Sequence, residues 1–346
     1  MRRLLVFLVI AVALLAADAG FNWWVDPFGG VYKSGALRDA KADGCLVSQE
    51  LVGINYMPFK EELFRERPTR TFVVGSSRVL RIAARPGERT FTNVGMPGIG
   101  PRLLLKLFHN LTATGRRETA YVGVEFFWFN PSYREQDLLP DLSWKTRYLL
   151  GRPTFKGSFD LVRQAPYVLD DRWKRERFGS SCVIGRTAPG IAWNLDGSRS
   201  YTFELDPRLA SPFKKTPFDP DLNRIRGGYY ANWTGFDENA VREVDRALAL
   251  AQARGWRVVG FAPPDPTRYV RLFATSPQIG RFWREFGRVM PALFRKHGFA
   301  WVDFRDVRSV PCKQTDFVDG WYHTNAACSA RIRARLDAAA ARPSGK

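Results

Sequence analysis

The sequence predicts an α/β protein built on a parallel sheet with helices on both faces, preceded by an apolar membrane or export segment. Three observations lead there. From Thr69 onward, short β-rich runs alternate with stretches of helical spacing, the pattern of strands joined by crossover helices. The 346 residues are 45% hydrophobic and 14% aromatic, enough to fill a sizeable core and against disorder. Before that region, the N-terminal stretch is apolar almost without interruption.

Met1-Arg2-Arg3 is followed by Leu4 to Ala17 and then by Asp18-Ala19-Gly20-Phe21-Asn22-Trp23-Trp24-Val25. Two readings stand. A basic start, a 14-residue apolar stretch and Ala17-Asp18-Ala19 as a small-x-small site describe a cleaved signal peptide. Alternatively the segment stays as an anchor, because 22 residues from Leu4 to Val25 span about 33 Å as a helix, close to the hydrocarbon thickness. Trp23 and Trp24 then sit in the far interfacial belt with Arg2 and Arg3 on the cytoplasmic side. The anchor fits better, since only Asp18 and Asn22 in that run are clearly polar. Both readings export the rest of the chain.

Residues 26–67 read as a connector that opens on the turn-rich Asp26-Pro27-Phe28-Gly29-Gly30. Residues 68–340 form the α/β domain. Its first strand, Thr71 to Val74, runs through Gly75-Ser76-Ser77-Arg78 into Val79-Leu80-Arg81-Ile82, the pattern of a strand, a tight turn and a helix start. Thr90 to Val94 is a second strand, Leu103 to Leu111 a helix, and Ala120 to Val124 a third strand. Between about 138 and 230 the alternation stops, which marks an insertion. It resumes with a helix from about Glu238 to Arg254, the strand Trp256 to Phe261, a helix from about Ile279 to Lys296 and the strand Ala300 to Phe304. Sites in such sheets lie at the carboxyl ends of the strands.

Charge narrows the partners. Lys+Arg number 53 against 34 Asp+Glu, a net +19, which suits nucleic acid, an anionic membrane face or acidic polysaccharide. Export excludes nucleic acid as the default. Part of the excess falls at 141–230, with 16 Lys+Arg and 10 Asp+Glu, densest at Arg172-Trp173-Lys174-Arg175-Glu176-Arg177. Such a run is most often a solvated helix face; it also suits an anionic substrate or lipid headgroup. The four cysteines form no CxxC pair, and in an exported chain they read as disulfides. Cys312 with Cys328 closes a short loop, leaving Cys45 to pair with Cys182 or stay free.

Only three histidines are present. His109 lies among leucines on a helix, and His297 ends a helix before Gly298, where its charge suits the dipole. His323 differs: it follows Asp316-Phe317-Val318-Asp319-Gly320-Trp321-Tyr322 in a loop before the C-terminal helix, and a carboxylate and imidazole in one loop can form a base and its orienter. Ser77, at a turn from strand to helix, can project a nucleophilic Oγ at the sheet edge; Ser76 or Ser77 is equally able to be a plain N-cap. Three scattered histidines and the lack of a cysteine motif leave little from which to build a metal site. Gly95-x-x-Gly98-x-Gly100 has the wrong order for a dinucleotide fingerprint, and no cofactor is expected.

Taken in order, these residues resemble the SGNH (GDSL-like) hydrolase superfamily over most of the chain from Thr69. Its strand and Gly-Asp-Ser block stands here as Val73-Val74-Gly75-Ser76-Ser77, with Ser77 in the nucleophile position. The Asn-x-x-x-x-Gly spacing is met by Asn93 and Gly98, and Gly123-Val124-Glu125-Phe126 stands where best-known members have Gly-x-Asn-Asp. Asp-x-x-His becomes Asp319-Gly320-Trp321-Tyr322-His323, one residue longer, with Asp316 as a second candidate orienter. The resemblance implies a flavodoxin-like three-layer α/β/α fold and a serine site: Ser77 attacks, His323 moves its proton, Asp319 orients His323, and the N–H groups of Ser77 and Gly98 hold the oxyanion. Arg78 and Asn93 are expected among the substrate contacts, Arg78 either binding an anionic group or lying as a solvated arginine at the helix start. It further implies an esterase or O-acyltransferase of acylated envelope polysaccharide or lipid, anchored in the inner membrane with its main domain in the periplasm or outside the cell, with a membrane-bound acyltransferase as a further partner. The alternative is a non-catalytic relative that holds acidic polysaccharide, to which Glu125 and the lengthened Asp319 to His323 spacing point.

Overall fold

A computed structural model of the chain describes residues 2–25, 46–48, 56–135, 183–184, 191–201, 229–305, 307–309, 312–318 and 323–342. Asp319, Cys45, Cys182 and the Arg172 to Arg177 run lie outside them. The strands are β1 Leu46–Ser48, β2 Thr71–Val74, β3 Phe91–Asn93, β4 Thr119–Gly123, β5 Val183–Ile184, β6 Ile191–Trp193, β7 Arg199–Tyr201, β8 Arg257–Ala262 and β9 Ala300–Asp303. The helices are α1 Arg2–Val25, α2 Tyr56–Glu66, α3 Pro101–Thr112, α4 Glu238–Ala253, α5 Thr267–Thr275, α6 Gly280–Lys296 and α7 Ala326–Ala341. The chain divides into two compact units, one of Met1–Phe59, Asp137–Leu195 and Ser200–Ala210, the other of Lys60–Gln136, Asp196–Arg199 and Ser211–Lys346.

In the first unit, Arg2–Gly20 of α1 is long and apolar enough to cross a membrane, with a mean hydropathy of 2.2 and none of it buried. Leu4, Phe7 and Leu14 are exposed along it, as suits an anchor or a signal sequence, which share this composition. A small four-stranded sheet runs in the order β5-β1-β6-β7, with β5 parallel and β6 antiparallel to β1. Trp193 of β6 is buried edge-on to Tyr56 and Phe59. Part of the connector and of the insertion thus carries strands. At two or three residues each, they show no readable alternation.

The second unit is built on a five-stranded parallel sheet, β3-β2-β4-β8-β9. Counted along the chain this is the order 2-1-3-4-5, whose direction reverses beside the first strand, and ligands in such sheets bind outside the carboxyl ends at that switch. Alternation in β2 explains the layers. Val73 faces Ile332 and Leu336 of α7 in one buried cluster, while Phe72 meets Phe64 of α2 and Phe108 of α3 on the other face. Gly260 of β8 lies against Phe294 of α6, where an added Cβ would collide. Helices therefore cover both faces, as the alternation predicts, and all five strand positions agree with the sequence to within a residue. Two helices differ from the sequence reading: α2 falls in the weakly patterned connector, and α5 follows Ala262-Pro263-Pro264, which reads as a turn.

Candidate active site

The Ser77 turn is shaped by what surrounds it. After β2 the chain bends at Gly75, whose φ of +153° is a backbone state that L side chains rarely adopt, and a Cβ there would lie 2.9 Å from the Gly123 carbonyl and from Val79 Cγ1. Gly123, at the end of β4, similarly leaves room for Val79, which a Cβ would meet at 2.6 Å. The turn therefore packs directly on the neighbouring strand. The expected helix does not form: a single 3-10 turn, Ser77–Val79, is capped by Ser76, whose Oγ accepts from Arg78 N–H. Ser76 is thus the cap, and half-buried Ser77 keeps its own hydroxyl for another partner.

Arg78, in the middle of this turn, is buried. Expected to face solvent or an anionic substrate group, it is instead 7% exposed. Its Nη1 donates to Glu125 Oε2 at 2.8 Å, and its Nη2 lies 2.8 Å from Asp265 Oδ1 and donates to the carbonyls of Pro263 and Pro264. Glu125, fully buried at the end of β4, also accepts from Ser76 Oγ at 2.5 Å. Burial disfavours the guanidinium charge, but Asp265 and Glu125 outweigh it and raise the Arg78 pKa. The two carboxylates share this one guanidinium. Burial pushes Asp265 up to about 6, with Arg78 opposing and Glu125 adding to the rise.

Asn93, expected among the substrate contacts, is fully buried at the end of β3. Its amide donates to the carbonyls of Val79 and Ile82, and its Oδ1 accepts from Gly95 N–H. It therefore organises the loops beneath the site. The segment Asp196–Arg199 supports the same loops: the Asp196 carboxylate takes Ala84 N–H at 2.5 Å, and Arg199 N–H donates to Leu80 O at 2.7 Å. Buried Lys60 donates to the carbonyls of Asn93 and Gly197, and burial lowers its pKa well below the usual value against the pull of Asp196. Gly98, half-buried with a φ of +70°, donates its N–H to no acceptor among the described residues.

His323 arrives from the other end of the chain. The loop before α7 is closed by the disulfide Cys312–Cys328, as the sequence suggests, and by a bridge between Phe317 and Thr324. Val318 N–H donates to His323 O at 2.8 Å. Asn325 caps α7 through Cys328 N–H, and its amide donates to Asp316. Asp316 also takes Lys313 N–H and the Arg331 guanidinium. The second candidate orienter therefore fastens the loop. Cys312, Asp316 and Cys328 lie close together, but the sulfurs are bonded to each other and the carboxylate is paired with Arg331.

Held in this way, His323 Nε2 lies 2.8 Å from Ser77 Oγ, across 246 positions of sequence. Both residues are half-buried at the carboxyl ends of the strands, beside the switch. With the proton on Nδ1, Nε2 accepts from the hydroxyl, which is the geometry of a general base on a nucleophile. The other histidines stand apart. His109 is exposed on α3, and His297 is buried against Asp245 at 2.6 Å and Gln252 at 3.0 Å. Sequence reasoning missed Asp265; the signal available was a carboxylate directly after a strand end, in Pro263-Pro264-Asp265-Pro266. No protein-family model matches the chain, and no curated protein sequence matches it.

Proposed function

We propose that the chain is a membrane-anchored or exported serine esterase or O-acyltransferase of the SGNH type, acting on acyl esters, acetyl above all, of envelope polysaccharide or lipid. The single observation that carries this reading is the 2.8 Å contact between Ser77 Oγ and His323 Nε2. Ser77 Oγ attacks the acyl carbonyl carbon as its proton passes to His323 Nε2. The oxyanion is met by the N–H groups of Ser77 and Gly98. His323 then protonates the departing alkoxide, which leaves an acyl-Ser77, and water or an acceptor hydroxyl activated by the same imidazole takes the acyl group. Asp319 is the proposed orienter of His323. The α1 helix and the disulfide support an oxidising location outside the cytoplasm, and the basic surface suits an anionic polymer or phospholipid headgroups. A membrane-bound acyltransferase partner belongs to the same proposal.

Hydrolysis of a small aryl acetate by the full chain in detergent tests it. Ser77→Ala and His323→Ala are each expected to remove most of the turnover, and full activity in either variant contradicts the assignment. A second reading, a non-catalytic binder of acidic polysaccharide, is favoured by Glu125, an acceptor where the resemblance places a donor. It requires no turnover and salt-sensitive binding of an anionic polysaccharide.

A further inference from the structure

The cluster around Arg78 has no step in the acyl-transfer chemistry above, yet it meets the nucleophile's turn at two atoms. We propose that Glu125 is a positioning residue for Ser77, acting through Ser76 and Arg78; the proposal rests on the serine-site reading. Ser76 Oγ donates to Glu125 and accepts from Arg78 N–H, so its hydroxyl is fixed in both roles. The Ser76 carbonyl accepts from Val79 N–H at 3.1 Å. In a trans peptide the N–H points opposite to the C=O, which turns Ser77 N–H away from Val79 and leaves it for the oxyanion. Glu125 therefore holds the cap that sets the peptide plane of the oxyanion donor.

Arg78 extends the hold to a second strand. Its planar fork meets Glu125 after β4 and Asp265, Pro263 O and Pro264 O after β8, so the strand ends and the turn after β2 are tied through one rigid group. Buried ion pairs repay their desolvation poorly as stability. Here the pairing fixes geometry instead. Where the resemblance places a donor facing the substrate, this chain has an acceptor holding the nucleophile turn, and the oxyanion is left to the backbone N–H groups.

The test is the rate at which a fluorophosphonate labels Ser77 in the full chain in detergent, with thermal unfolding followed in parallel. Glu125→Gln and Ser76→Ala are each expected to slow labelling about tenfold or more, as small displacements of reacting groups do. Asp337→Asn serves as the stability control. Asp337 pairs with Arg333, Arg85 and Tyr121, none of which belongs to the turn, and its variant is expected to lower Tm with labelling within about twofold of the native rate. Labelling of Glu125→Gln and Ser76→Ala at the native rate overturns the proposal, as does a loss that tracks Tm alike in all three variants. A native chain that is not labelled at Ser77 overturns the serine-site reading itself. Ser76→Ala keeps the test open should Glu125→Gln fail to fold.

Discussion

The two halves of the Ser77–His323 pair are held by different means. On the Ser77 side the constraint is buried and noncovalent: close packing at Gly75 and Gly123, a cap from Ser76, and two carboxylates on one guanidinium. On the His323 side it is covalent and local: a disulfide 16 residues apart, a one-pair bridge, and a helix cap tied to Asp316. A sheet edge supplies neighbouring strand ends to which a turn can be locked. A loop before the last helix has fewer, and a cross-link substitutes for them by restricting the unfolded chain. The two sides should therefore fail under different stresses.

The largest effect expected is chemical. Ser77→Ala or His323→Ala should each lower kcat for an aryl acetate by about 10³-fold or more, and the double variant should be little worse than either, because residues that act as a unit are not additive. Additive losses would separate the two groups.

Breaking the covalent side comes next. Cys312→Ser with Cys328→Ser, or a reductant, should cost about 3 kcal/mol for a loop of this length and should slow Ser77 labelling by loosening His323. Urea unfolding with and without reductant measures the first effect. A rate unchanged by reduction would show that the bridge and the α7 cap suffice to hold the loop.

Breaking the noncovalent side by packing should cost somewhat less. Gly75→Ala forces a Cβ to within 2.9 Å of the Gly123 carbonyl in a disfavoured backbone state, for about 1–3 kcal/mol. At roughly 2–4 °C per kcal/mol for a domain of this size, a thermal melt resolves it, and an unchanged Tm would mean that the turn relaxes freely.

The smallest effect is the response to pH. Asp265 has a folded pKa raised to about 6 from 3.8, so the folded state binds the proton more readily than the unfolded state between those values. Its contribution to stability is fully present below about pH 4 and is lost as pH rises through about 6. Asp265→Asn should remove that slope from a pH series of urea midpoints, whereas the disulfide variant should retain it. A slope kept in Asp265→Asn would assign it to another group.

The same contrast explains what the sequence made legible. The strands of the large sheet are buried apolar runs of four to six residues in most cases, and β2 is read to the residue at Thr71–Val74. The pairing of Leu46 with Val183 leaves no such trace, because it joins very short strands far apart in the chain. In the site, Ser77 and His323 are readable from residue type and position at strand end and loop. The inward turn of Arg78 is not, because the carboxylates it pairs with, Glu125 and Asp265, follow two other strands far along the chain. Asn93 was visible as a polar residue at a strand end, but only the carbonyls of Val79 and Ile82 show that it serves the loop. Glu125 could be seen as a departure from the resembled pattern; that it grips Ser76 required the neighbouring strand.

Mass-spectrometric mapping of fluorophosphonate adducts on the native full chain and on His323→Ala asks whether Ser77 is an activated nucleophile. A phosphonylated peptide at Ser77 in the native chain, lost or strongly slowed in His323→Ala, is the predicted result. No adduct at Ser77, or equal labelling in both, would mean that His323 does not activate Ser77 as a nucleophile.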